Sequence, residues 1–193
     1  MARVAFAFAF LVAVLLGVQF GGGTASAAAA PAVIGVVDVQ VILRDSTAMK
    51  AIQSQVEEKR GQYQTDISGQ EKRLREQEQE LKRQQSVLAA DAFEAKRRDF
   101  EAQVAAVQRD VQERRRTLDQ AYGEGLKVVQ KELTAIIAAL AKERGFTLVL
   151  PTGQTLYAEP ALAITDEALK RLNKKLTTVT LQFTAPAAKS KQK

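Results

Sequence analysis

From about Thr47 to Arg144 the chain contains no proline, and its apolar residues recur among Glu, Gln, Lys and Arg with a helical period. Met49, Val56 and Tyr63 stand seven residues apart, and Ile67, Leu74, Leu81 and Leu88 form a second column displaced by four, the d-to-a step of a coiled coil. Further along, Phe100, Val104, Val107, Val111 and Leu118 keep the same spacing, and Leu126, Val129, Leu133, Ile136 and Leu140 continue it with the phase moved by one. The slip falls at Gly123 and Gly125, where each glycine costs a helix about 1 kcal/mol, so a bend is expected there. Beyond Tyr63 the matching positions are Gln70, Gln77 and Gln84. The apolar seam therefore thins towards one end, where burial gains little and mobility is expected.

A single straight helix over this stretch would be roughly 140 Å long and would hold the two ends of the chain apart. Asp91, with Glu94 three residues on, offers a capping box near the midpoint. The expectation is a helical hairpin over residues 47–144 with its tip near 89–91, which brings the flanking segments together. Those flanks read as strand. Residues 33–44 are a β-branched run that turns over near Asp38, Phe146–Leu150 is a second run, and Gln154–Ala158 follows a Pro-Thr-Gly turn. Thr165 is placed as N-cap of a helix with Asp166 and Glu167 in its first turn and Ala168, Leu169, Leu172 and Leu176 on one face. Thr178–Phe183 alternates like a short strand, and residues 184–193 read as a disordered basic tail.

Composition alters this picture in two ways. The 46% hydrophobic content is at its densest in the first thirty residues, where Arg3, a run from Val4 to Val18 that is apolar apart from Gly17, and a small-residue Ala25-Ser26-Ala27 site have the three-part layout of a signal peptide. The run is shorter than the roughly 20 residues needed to span a bilayer, so cleavage after Ala27 is expected, with Ala29 as the other site. Loss of Arg3 leaves 27 basic and 22 acidic residues. In an exported protein that balance points to acidic polypeptide, lipopolysaccharide or anionic lipid and not to nucleic acid. Second, the chain has no His, no Cys and no Trp. That removes His- and Cys-based catalysis, thiolate and imidazole metal sites, and disulfides; no cofactor and no enzymatic activity are expected.

Residues 33–46 and 145–183 total about 53, near the size at which an isolated domain is marginal, so a body made of them is expected to self-associate. At this point the residues show a resemblance. Val33-Ile-Gly-Val-Val-Asp38, Gly145-Phe-Thr-Leu-Val-Leu150, Leu156-Tyr157-Ala158 and Ile164-Thr-Asp-Glu-Ala-Leu-Lys-Arg-Leu-Asn173, placed around a long charged hairpin, resemble the Skp/OmpH family of periplasmic chaperones. Ala163 departs from the acidic residue that often precedes the Ile-Thr pair, and the extension after Leu176 exceeds the usual end.

The resemblance implies an α+β fold: a small β-barrel-like trimerisation body carrying long antiparallel coiled-coil tentacles, the jellyfish shape of a homotrimer. It implies a periplasmic holdase that uses no nucleotide and shelters unfolded outer-membrane β-barrel proteins between its tentacles. Val33, Val36, Val37, Phe146, Leu148, Leu150 and Tyr157 are assigned to the trimer body. Val87, Phe93 and Phe100 are the candidates for client contact, the other reading being that they close the tip between the arms. Lys96, Arg97 and Arg98 are the counterpart in type of the family's lipopolysaccharide-contacting basic residues. A structural coiled-coil protein of the envelope is the alternative; it would carry continuous apolar a and d positions, against which Gln70, Gln77 and Gln84 speak. A secreted hydrolase would need a pocket that a hairpin on a small body has little room for.

Overall fold

The computed structural model describes residues 31–184. The expected signal peptide, and the tail from residue 185 onwards, lie outside the described residues. Strand β1 (Ile34–Val37) leads into helix α1 (Val39–Asp45), α2 (Thr47–Gln84) and α3 (Ala90–Arg144). Strand β2 (Leu148–Pro151) and helix α4 (Thr165–Lys175) follow. The strands pair in parallel, Ile34 opposite Leu148 and Val37 opposite Pro151. A parallel pair needs a crossover, and here the whole helical stretch supplies it. The other edge of β1 receives a bridge from Ala163, with the Ile164 N–H donating to the Val36 carbonyl at 2.9 Å.

The strand expected over 33–44 stops at Val37. Asp38 Oδ1 accepts the N–H of Val41 at 2.9 Å and caps α1, and Ile42 of that helix is completely buried. A cap plus a buried apolar face outweighs the β propensity of Val39, Val41 and Ile42, which amounts to under a kcal/mol each. Ser46, also fully buried, caps α2 by accepting the Met49 N–H. The Thr47 N–H just beyond it donates to Asn173 Oδ1 of α4 at 2.9 Å. Thr165 is not the N-cap of α4: it is the first helical residue, and its hydroxyl accepts the Asp38 N–H at 2.9 Å. The strand expected over 154–158 is absent; Thr152–Gln154 form a 3-10 turn and Leu156 is fully exposed.

Helices α2 and α3 are about 57 and 82 Å long at 1.5 Å per residue. They run antiparallel, since Asp66 reaches Arg114, Gln70 reaches Asp110 and Gln84 reaches Lys96. The chain reverses at residues 85–89. Asp91 does not cap α3; the helix begins at Ala90 behind Ala89, with Asp91 in its first turn. There its charge still favours the dipole. The far end of α3 closes at Gly145, whose φ of 70° permits the left-handed turn in which the Phe146 N–H donates to Ala141 and the Gly145 N–H to Lys142.

The hydrophobic core gathers at the root of the helical pair. Met49 and Ile52 of α2, Val129, Leu133 and Leu140 of α3 and Ile164 and Leu172 around α4 are all at most 3% exposed. Helix α3 stays continuous through Gly123 and Gly125, where a bend is expected from the sequence. Its buried line runs instead through Thr117, Ala121, Gly125 and Val129. A Cβ on Gly125 would stand 2.7 Å from Leu181 Cδ2 and 3.0 Å from Ile52 Cδ1, so the glycine is there for close approach. Thr178–Phe183 forms no ladder; the segment lies on the helices with Leu181 buried against them.

Candidate functional site

No residue between Glu57 and Arg116 is buried. Over that length Tyr63, Ile67, Leu74, Leu81 and Leu88 of the α2 side and Phe93, Phe100, Val104, Val107 and Val111 of α3 are all half-buried. Each therefore keeps apolar surface in water, on two helices that pack against each other. Full burial of such a side chain is worth about 1.5–3 kcal/mol, and half-burial realises only part of that. The remainder is available to anything apolar that docks. Two open grooves follow this line. One of about 260 Å³ is lined by Leu81 and Phe100 with Gln77, Gln84, Lys96 and Asp99, and one of about 230 Å³ by Leu74, Val107 and Ala106 with Gln70, Gln77 and Gln103. The polar Gln70 and Gln77 positions thus fall where the arms leave space. Of the client-contact candidates, Val87 is 81% exposed on the reversal, whereas Phe93 and Phe100 are half-buried on the inner line.

Midway along the arms a polar cluster takes the place of a buried core. Arg114 donates from Nε to Asp110 Oδ1 at 2.9 Å and from a terminal nitrogen to Asp66 Oδ2 at 3.0 Å across the pair. Its guanidinium carbon lies 4.8 Å from the centre of the Tyr63 ring, with Lys59 Nζ 5.0 Å from the same centre. Gln70 donates to the second Asp110 oxygen at 3.0 Å. This cluster is invisible to a seam count, which treats Arg114 as one of three consecutive surface arginines. The signal that could have found it is the aromatic Tyr63 at the last apolar heptad position before the glutamines, where a cation can stack.

The hydrogen bond from Arg114 holds the Asp110 carboxyl below its ordinary value of 3.8, against partial burial and with help from Gln70. A depressed carboxylate stabilises the folded state above its unfolded value and loses that contribution as pH falls through the folded value. Acidification below about pH 4 should therefore loosen the arms at this level. We expect Arg114→Met to raise amide exchange several-fold in residues 66–77 and 103–114, an effect of about 1 kcal/mol for a partly exposed network, with the root unchanged. Hydrogen exchange by mass spectrometry checks this, and equal protection in the two proteins would assign the cluster no role.

The basic residues near the tip are tied down more than their sequence suggests. Lys96 donates across the pair to Gln84 Oε1 at 2.7 Å, and Arg97 bridges Glu94 and Glu101 on its own helix. Arg98 makes no ion pair among the described residues. At the other end of the molecule the body candidates divide in two. Val36 and Val37 are buried in the core of the single chain, and Phe146 packs its ring over Gly35, where a Cβ would meet it at 2.5 Å. Leu150 is half-buried. Val33, Leu148 and Tyr157 are 41, 47 and 75% exposed, and Ile34 and Leu156 add to this apolar surface. β2 has β1 on one side and no ladder partner on the other among the described residues. Parallel sheets are ordinarily covered on both faces, and a two-stranded one is marginal alone.

Helix α4 fixes the root through charge as well as packing. Arg171 donates two hydrogen bonds of 2.7 Å to Glu143 at the end of α3 and one to Glu167 on its own helix. Those bonds lower both carboxyl pKa values and raise that of the guanidinium. No group of residues suited to holding a metal ion, and no helix long and apolar enough to cross a membrane, occurs among the described residues.

No curated protein matches the chain in sequence. Among solved structures, a candidate outer membrane chaperone (OmpH-like) from Caulobacter crescentus CB15 superposes with a TM-score of 0.75 at 20% identity, over 84% of this chain and 95% of that one. At that identity the likeness speaks for the fold alone, which among the described residues of this chain comprises four α-helices and a small two-stranded sheet. The family model of outer membrane protein (OmpH-like) matches residues 33–172, from the start of β1 to the buried Leu172 of α4. The chain belongs to the OmpH-like family.

Proposed function

We propose that the protein is a periplasmic holdase, exported by its N-terminal signal, which assembles as a homotrimer through the body and shelters unfolded outer-membrane β-barrel proteins between coiled-coil arms without using ATP. The observation that carries this reading is the stretch from Glu57 to Arg116, the distal part of the arms including about half of α3, in which every apolar residue of the inner line is left half-exposed. A protein that binds many sequences and must release them without an energy source needs many weak apolar contacts dispersed among charges and not one deep pocket. The two shallow grooves, and a mid-arm held by partly exposed polar contacts, suit that task. Excess positive charge attracts acidic clients at separations near the Debye length of about 8 Å. The exposed Val33, Ile34, Leu148, Leu156 and Tyr157, beside a strand with an open edge, support self-association of the body.

A purely structural spacer would close its seam with apolar residues along its length, and the open grooves at Leu74 and Leu81 disfavour it. The test dilutes a urea-unfolded β-barrel protein into buffer with and without the mature protein at stoichiometric amounts and no nucleotide, and follows light scattering. Suppressed scattering is expected; scattering that the protein leaves unchanged would remove the chaperone reading. Sedimentation across a hundredfold range of protomer concentration separately tests the trimer, and a concentration-independent monomer would sink it.

A further inference from the structure

Residues 178–184 lie beyond the family-matched region, have no regular secondary structure, and nevertheless show a strict period of two in their exposure. Thr178, Thr180, Gln182 and Thr184 are exposed, while Val179 and Phe183 are half-buried and Leu181 between them is 7% exposed. That alternation is the signature of an extended segment laid with one face on a surface. All three apolar residues pack against the root core. Leu181 fills the space above Gly125 beside Ile52, a seat that exists only because position 125 has no side chain.

The backbone of the segment is read as well. Gln55 donates from Nε2 to the Val179 carbonyl at 2.7 Å and accepts the Leu181 N–H on Oε1 at 3.1 Å. Those two groups flank Thr180 on one side of an extended chain, so the side-chain amide makes the pair of bonds that the N–H and C=O of one residue of a neighbouring strand would make. Its remaining Nε2 hydrogen goes to the Ala51 carbonyl of α2 at 3.1 Å, which fixes the amide in that orientation. Backbone recognition by Gln55 is indifferent to sequence, and the Gly125 seat asks only for an apolar side chain. Together they define a site for any extended segment with apolar residues at alternate positions.

We propose that this root groove is a peptide-binding site, that Thr178–Thr184 is its internal ligand, and that strands of unfolded β-barrel clients, which alternate in the same way, compete with it. The competition rests on the holdase reading above; the site itself does not. A fluorescein-labelled peptide of residues 177–184 should bind a chain ending at Leu176 at least tenfold more tightly than a chain ending at Thr184, and Gly125→Ala in the shorter chain should abolish the difference. In the full mature chain, Gly125→Ala should expel the strap and raise exchange at the Leu181 amide at least tenfold, which tests the seat without any truncation. Equal peptide binding by the two chains, or binding and exchange indifferent to Gly125→Ala, overturns the proposal.

The same amide reports competition. Saturating urea-unfolded β-barrel protein should raise its exchange at least tenfold in the intact chain, and unchanged exchange while the client stays soluble overturns the competition. A client that aggregates regardless counts against the holdase reading instead, and the peptide measurement, which contains no client, still decides the site.

Discussion

Removal of residues 70–114, with Gly69 joined to Arg115 through a short glycine turn, is expected to leave a folded root that still assembles but no longer keeps an unfolded β-barrel protein in solution. The last buried residue of α2 before the tip is Val56 and the first of α3 after it is Thr117, so the deletion leaves every buried side chain in place. Antiparallel helices pack about 8–10 Å apart, a gap that a few residues span. What the deletion removes is the pair of grooves around Leu74 and Leu81, the apolar tip with Val87, Phe93 and Phe100, and the Arg114–Asp110 contact. The melting temperature should change by only a few degrees and the sedimentation behaviour of the oligomer should persist, while client scattering returns to its level without chaperone. Retained holding would place the client surface on the body, and lost assembly would show that the arms carry part of the oligomer contact.

The division between arm and root is largely legible in the sequence, because it depends on local periodicity: Gln70, Gln77 and Gln84 interrupt a seam that Met49 and Val56 begin. The motif around Leu172 and Asn173 is legible for the same reason, as helical spacing behind acidic first-turn residues. What escapes local reading depends on partners far along the chain. Asp38 and Thr165 meet across 127 positions, and Gln55 and Val179 across 124. Neither pair leaves a trace in a window of ten or twenty residues. The β-branched run at Val39–Ile42 reads as strand although it is helix, because that helix is stabilised by one cap and one buried isoleucine, both tertiary facts. Gly125 reads locally as a cost to the helix, whereas its use lies in what it lets approach. Among the candidate site residues, the sequence selects Val33, Leu148 and Tyr157 together with Val36 and Val37, but only the packed chain separates those left exposed from those it buries itself.

Leu172→Ala is expected to destabilise the protein far more than the same truncation in the arms. Leu172 is completely buried, and on either side of it Arg171 binds Glu143 of α3 while Asn173 accepts the first N–H of α2, so α4 ties three helices together through one short segment. Truncating a buried leucine costs about 2–5 kcal/mol, depending on how far the site can collapse. Here the facing groups belong to long helices that cannot close in independently, which favours the upper half of that range. Against a total stability of about 5–15 kcal/mol this is a large fraction. Leu74→Ala, in the half-buried line of the arms, removes the same atoms from a groove already open to water, and about 1 kcal/mol or less is expected. Urea titrations at one fixed protomer concentration measure both, because the stability of an assembled protein depends on concentration. A midpoint shift for Leu172→Ala at least twice that for Leu74→Ala is expected, because the root holds the buried core and the arms contribute little to it; equal shifts would contradict the burial pattern and place the arm line in a core of the same quality.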